Sequence, residues 1–293
     1  MWWMANALAA PMVERVTAGE SWKGWALADG AHVVIHFTGD LDGSAVPCPC
    51  GDDNPGGVAR IVAVHHHLQP ALLVDAGGWA RATPSEEGPG LHAEASAANA
   101  VMRSVMSDWD VLGVGYRDLP GLGVDLPSSA RSATAVGGLP TWARFDVAGI
   151  SLVVTSVSGA GMLHMQPTGW TWPTPEDALR TALSSVSDAD VVVVLAFDVG
   201  DVETLLQLPH VDVVIDATRA ERPLPASAVG DAVWAHTVKG GWLGELRLWV
   251  EEGVVVRAVD RHLPLGVHVP EDRDVLKQLS EKPLRHRRST SSP

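Results

Sequence analysis

The stretch Val33-Val34-Ile35-His36-Phe37-Thr38-Gly39-Asp40-Leu41-Asp42-Gly43 sets the reading of this chain. Its β-branched, apolar first half predicts a buried strand over 31–37, and Gly39 ends it. Beyond Gly39 comes a short polar tip with two carboxylates, Asp40 and Asp42. The same grammar recurs downstream. Ala71 to Val74 reads as a second short strand and delivers Asp75-Ala76-Gly77-Gly78. Asp110 to Val114 reads as a third, followed by Gly115-Tyr116-Arg117-Asp118. Val191 to Phe197 and Val211 to Ile215 are continuous apolar runs that end in Asp198 and in Asp216-Ala217-Thr218-Arg219-Ala220. Strands apolar on both faces must be covered on both sides.

The segments between them supply the cover. Gly57 to His67 has helical spacing through Val58, Ile61, Val62 and Val64, and residues 93–106 are Ala- and Met-rich with apolar residues at helical intervals. Thr174-Pro175-Glu176-Asp177 is a helix start, with a capping hydroxyl, Pro in the first turn and acids at the positive end of the dipole. A short helix is expected at Val202 to Leu206. Trp142 to Val147 and Ile150 to Val157 read as a hairpin turned at Ala148-Gly149. Residues 232–238, 244–250 and 254–259 read as an antiparallel meander, with Glu251-Glu252-Gly253 as its last turn. Buried strands alternating with helices indicate a layered α/β domain. The Gly-, Ser-, Ala- and Pro-rich stretch 121–138 reads as an extended connection and is a candidate boundary, with one continuous domain preferred. The expected division is an N-terminal extension over 1–30, one domain over 31–265, and a largely irregular C-terminal tail over 266–293.

Composition excludes several classes. Of 293 residues, 46% are hydrophobic, too many for a disordered chain, and no apolar run approaches the roughly 20 residues a membrane helix needs. The net charge of −14 repels a phosphate backbone, so no nucleic-acid partner is expected. The one dense basic run, Arg285-His286-Arg287-Arg288, reads as part of a frayed tail. Residues 1–11 are apolar without a leading Lys or Arg, so they do not read as a secretory signal.

In order and spacing the five strand tips resemble the calcineurin-like metallophosphoesterase superfamily, in its 5'-nucleotidase-like branch. Further likenesses are Gly56-Gly57-Val58-Ala59-Arg60 at the first helix, Ala98-Asn99-Ala100-Val101-Met102 in the second, and Gly240-Gly241-Trp242-Leu243-Gly244-Glu245-Leu246 entering the closing hairpin. The resemblance covers about 33–259 and implies an αββα sandwich of mixed sheets flanked by helices. It also implies two divalent ions, of Mn, Fe, Zn or Mg type, held at the strand ends to make hydroxide and clamp phosphate oxygens.

Carried over position by position, most of those ligands are missing. Asp40 falls on the first ligand and is kept; Asp42 stands where the family has His. Gly78 falls on the Asp that bridges the two ions. Tyr116 and Arg117 fall on the Asn ligand and the catalytic His, with Asp118 matching the acid after it. Phe197, Thr218 and Ala220 fall on three further His. The expectation is therefore a degenerate, non-catalytic member with a protein partner and no cofactor, retaining Asp40, Asp42 and Asp118 as remnants of a metal site. The alternative is a weak or altered metal-dependent hydrolase around those residues, with Asp198 or Asp216 assisting. The resemblance alone suggests export.

Pro47-Cys48-Pro49-Cys50-Gly51 carries both cysteines and resembles an insertion in a bacterial subgroup of the family; it reads as a thiol or metal pair, or a local disulfide. His65-His66-His67 at a helix end cannot converge on one ion, because consecutive helical residues point about 100° apart. His164 and His236 stand isolated. No phosphate loop or nucleophile elbow is present. The twelve Trp are read as core packing first, and as a docking face or plug second.

Overall fold

The computed structural model describes residues 10–16, 30–48, 54–68, 70–81, 98–115, 118, 127–135, 138–159, 171–186, 188–217, 220 and 222–281. Thirteen strands are described among them: β1 Met12–Val16, β2 Val33–Thr38, β3 Leu72–Asp75, β4 Val111–Gly113, β5 Ala130–Arg131, β6 Trp142–Val147, β7 Ile150–Ser158, β8 Val191–Phe197, β9 Val213–Ala217, β10 Ser227–Val229, β11 Ala232–His236, β12 Trp242–Glu251 and β13 Val254–Pro264. The helices are α1 Val58–His67, α2 over 98–105, α3 Pro175–Leu183, α4 Val202–Leu206 and α5 Arg273–Glu281.

Two mixed sheets result, in the orders β1-β13-β12-β2-β3-β4-β5 and β10-β11-β9-β8-β7-β6. Strand alternation divides the core into three. Val33, Ile35 and Phe37 of β2 meet Val193, Leu195 and Phe197 of β8 between the sheets. Val58, Ile61, Val62, Met102 and Val105 pack α1 and α2 against the first sheet. Leu179, Ala182 and Leu205 pack α3 and α4 against the second. The molecule is the αββα sandwich that the sequence resemblance implies. β2, β3 and β4 run parallel, as do β7, β8 and β9, so their carboxyl ends gather on one rim of the sandwich.

The hairpin β6–β7 turns where expected, with Ala148 and Gly149 both at positive φ. Thr174 caps α3, its Oγ1 accepting the Asp177 N–H at 3.2 Å. Three expectations need correcting. The closing strands are not one meander: β11 leaves it and lies parallel to β9 in the second sheet, and only β12 and β13 form the hairpin. The N-terminal stretch contributes β1, which pairs parallel to β13 as an edge strand of the first sheet. Within the expected tail, residues 273–281 form α5, which buries Val275 in the first core layer. Arg60 ties that segment down, reaching the Leu265 carbonyl at 3.0 Å and Glu271 at 3.4 Å. Of the connection at 121–138, residues 127–135 and 138 are described, and Ala130–Arg131 there form β5 beside β4.

Candidate functional site

The polar tips after β2 and β3 run side by side at the rim. Asp40 N–H donates to Gly77 O at 2.8 Å, Asp42 N–H to Gly78 O at 2.9 Å and Gly43 N–H to Trp79 O at 3.0 Å. This lacing holds Asp40 and Asp42 at positive φ (51° and 48°), a backbone that Asp tolerates better than most residues. Asp40 is buried and Asp42 partly so.

Asp118 is buried and held by backbone amides. Its Oδ2 accepts the Gly78 N–H at 2.9 Å and the Gly115 N–H at 2.8 Å, and its Oδ1 accepts the Ala80 N–H at 2.8 Å. A carboxylate occupied by three backbone amides is a clip between the loops after β3 and β4. Asp75, which the sequence reading passed over, completes an acid cluster. It accepts the Thr38 hydroxyl at 2.6 Å and the Gly77 N–H at 2.8 Å. Burial nonetheless pushes its carboxyl up to about 7, helped by the neighbouring Asp118 and Asp40 charges. Only its place at the end of a strand could have flagged it.

Phe197, the last residue of β8, lies against this cluster between the sheets. A Cβ built on Gly78 would overlap the ring, with Cζ at 2.7 Å, and one built on Gly115 would sit 2.7 Å from Cε1. At Gly77 the nearest atom, Phe197 Cβ, is at 3.0 Å. The ring therefore fills the space that side chains at Gly78 and Gly115 would need. Gly39 is similarly tight against Ala217 Cβ, at 2.9 Å.

The other candidates scatter. Asp198 is exposed just past β8. Asp216 is buried on β9, on the opposite face from Ala217, beside His236 of β11 at 3.9 Å. Burial raises the Asp216 carboxyl to about 7 and lowers His236 to about 4. The three His point three ways. His65 turns inward to His36 Nδ1 at 3.0 Å, His66 faces Asp272 at 3.5 Å, and His67 is exposed. Behind His36, Glu245 and Arg247 close a buried network at 3.3 and 2.7 Å. Trp79 and Trp109 are fully packed core residues. Cys48 is exposed and disulfide-bonded rather than a thiol. Tyr116, Arg117, His164, Thr218, Arg219, Trp170 and Cys50 lie outside the described residues. Among those described, no group of three or more His, Cys, Asp or Glu could hold a metal ion.

Solved structures place this architecture. Sulfate thiohydrolase SoxB of Thermus thermophilus superposes at TM-score 0.68 with 16% identity, over 88% of this chain and 61% of that one. The fold is that of the 5'-nucleotidase-like metallophosphoesterases. A 5'-nucleotidase precursor, also from Thermus thermophilus, matches this metallophosphoesterase fold at TM-score 0.68 and 16% identity, over 85% of this chain and 58% of that one. The NAD nucleotidase of Haemophilus influenzae matches at 0.59 and 14%, over 85% and 55%. The chain thus spans about three fifths of the metallophosphoesterase-fold structures it resembles. No family model and no curated protein matches the sequence.

Proposed function

We propose that this protein has kept the phosphoesterase scaffold, has given up two-metal catalysis, and serves as a binding or assembly component for a protein partner. The observation that carries the reading is the Phe197 ring in the space a side chain at Gly78 would occupy. A carboxylate cannot be placed there without expelling the ring. The residues present therefore do not fit a dinuclear centre. Asp118 adds to this, since both its oxygens already accept backbone amides. The net charge of −14 favours a protein over a nucleic acid as partner.

A second reading, a hydrolase using one divalent ion (Mn, Fe, Zn or Mg) at Asp40, Asp42 and Asp118, draws support from the acid cluster: Asp40 and Asp118 both act electrostatically on Asp75. The engaged oxygens of Asp118 weigh against it. Turnover of an aryl phosphate with added Mn separates the two. The first reading expects no turnover above buffer. Activity that disappears in Asp40→Ala would establish the second.

A further inference from the structure

The strap that leads into β10 is the feature that the phosphoesterase scaffold leaves unexplained. It reads Arg222-Pro223-Leu224-Pro225-Ala226. Each proline fixes its own φ at about −65° and restricts the residue before it to extended backbone. Residues 222–225 are therefore confined to polyproline II geometry even in the unfolded chain. Burial follows the same form. Pro223, Ala226 and Val229 are half-buried, whereas Arg222, Leu224, Pro225, Ser227 and Ala228 are exposed. A period of three belongs to a polyproline II helix; a strand alternates in twos.

The strap is held at its ends and open along its length. Ala226 packs against the core between the sheets, and its N–H donates to Asp260 Oδ2 at 3.0 Å. Asp260 is fully buried on β13, so a carboxylate of the first sheet fixes a loop of the second. Before the strap, Ala220 O accepts the Lys239 N–H at 3.1 Å. Among the described residues no hydrogen bond reaches Pro223, Leu224 or Pro225. Leu224 is 41% exposed. The three-residue turn gives the strap two open faces, Arg222 with Pro225 and Leu224 with Ser227. With its backbone already ordered, little conformational entropy is left to lose on binding.

We propose that Arg222-Pro223-Leu224-Pro225 is a docking ligand for a protein partner whose groove is lined by aromatic side chains and carries a carboxylate. The proposal rests on the reading of this protein as a binding component and names the surface that binds. Aromatic rings pack against the prolines and Leu224, and a Trp or Tyr donor reaches the strap carbonyls. Arg222 is an exposed cation in a chain of net charge −14, and the carboxylate of the groove meets it and sets the direction of docking. A second copy of this chain does not supply such a groove among the described residues. The cavities beside α3, lined by Leu183, Val186 and Leu208 and by Ala133, Ala178 and Ala182, contain no Trp, Tyr or Phe.

The test uses the full chain with a benzophenone photo-crosslinker in place of Leu224, irradiated in an extract of its own cells. The cross-linked protein is identified by mass spectrometry, purified and titrated with the wild type and with Leu224→Ser, Pro225→Ala and Arg222→Glu. The expected result is one protein with an aromatic-lined groove, competed off by a synthetic peptide of residues 222–229. Each substitution weakens its binding at least about tenfold, and Leu224→Ser leaves Tm unchanged. No adduct, an adduct with a second copy or with nucleic acid, or binding indifferent to Leu224→Ser and Pro225→Ala overturns the proposal. Aryl-phosphate turnover alongside the expected adduct removes only the non-catalytic reading and leaves the strap its partner.

Discussion

The ring of Phe197 and the missing side chain of Gly78 are complementary: one fills the volume the other leaves, at the rim where β3 and β8 end. Gly78 also has φ +73°, so any other residue there meets both the ring and an unfavourable backbone.

That pairing predicts a non-additive mutant cycle. Gly78→Ala alone costs about 3 kcal/mol, from overpacking and backbone strain. Phe197→Ala alone costs about 4 kcal/mol, for the cavity it opens. Combined, the two cost at least about 1 kcal/mol less than their sum, because the new methyl enters the emptied space. Urea denaturation of the four proteins measures this; strict additivity would show that the contact is incidental.

Asp118 predicts a stability effect in place of a catalytic one. Asp118→Ala strands three buried N–H groups and costs about 4 kcal/mol. Asp118→Asn keeps one carbonyl acceptor and costs less. Equal effects from the two substitutions, or none from either, would contradict its role as a clip.

The buried carboxylates predict an unusual pH dependence. Asp75 and Asp216 have folded values near 7 against an ordinary 3.8. The folded state therefore binds their protons more tightly than the unfolded state does. Their contribution is full below about pH 4 and is lost as pH rises through about 7. His65 and His236, lowered to about 3 and about 4, act oppositely, their contribution present above about 6.5 and lost as pH falls. Asp75→Asn removes one member of the first set, so its stability between pH 4 and 7 falls less, or rises more, with pH than that of the wild type. Unchanged pH dependence by denaturant titration would refute the assignment.

At α3 the prediction is small and local. Thr174→Ala removes the side-chain acceptor of the Asp177 N–H and costs about 1 kcal/mol, measurable as a lowered Tm.

How much the sequence revealed depends on which forces are local. The strands β2, β3, β8 and β9 announce themselves because each is apolar on both faces, and α3 because Thr174 and Pro175 mark its start. That β11 deserts its neighbours for the second sheet is decided by which edge its backbone finds, and no residue of Ala232–His236 encodes that choice by itself. The helix α5 was hidden because it buries only Val275, with Leu279 packed partly beside it. At the rim, the resemblance set Gly78 and Phe197 at positions where the family has ligands. It could not reveal that the ring of one fills the space beside the other, since Gly78 follows β3 and Phe197 ends β8, in different sheets. The resemblance read Asp118 by its position as a remnant of a metal site. Its three amide partners come from two loops that only the fold brings together.

On the proposed reading, Gly78 and Phe197 together leave no place for a pair of ions. Its most direct test is elemental analysis of the purified protein after equilibrium dialysis against Mn and Zn. The wild type is predicted to hold no stoichiometric pair of ions per chain. Two ions per chain, lost together in Asp40→Ala, would contradict it.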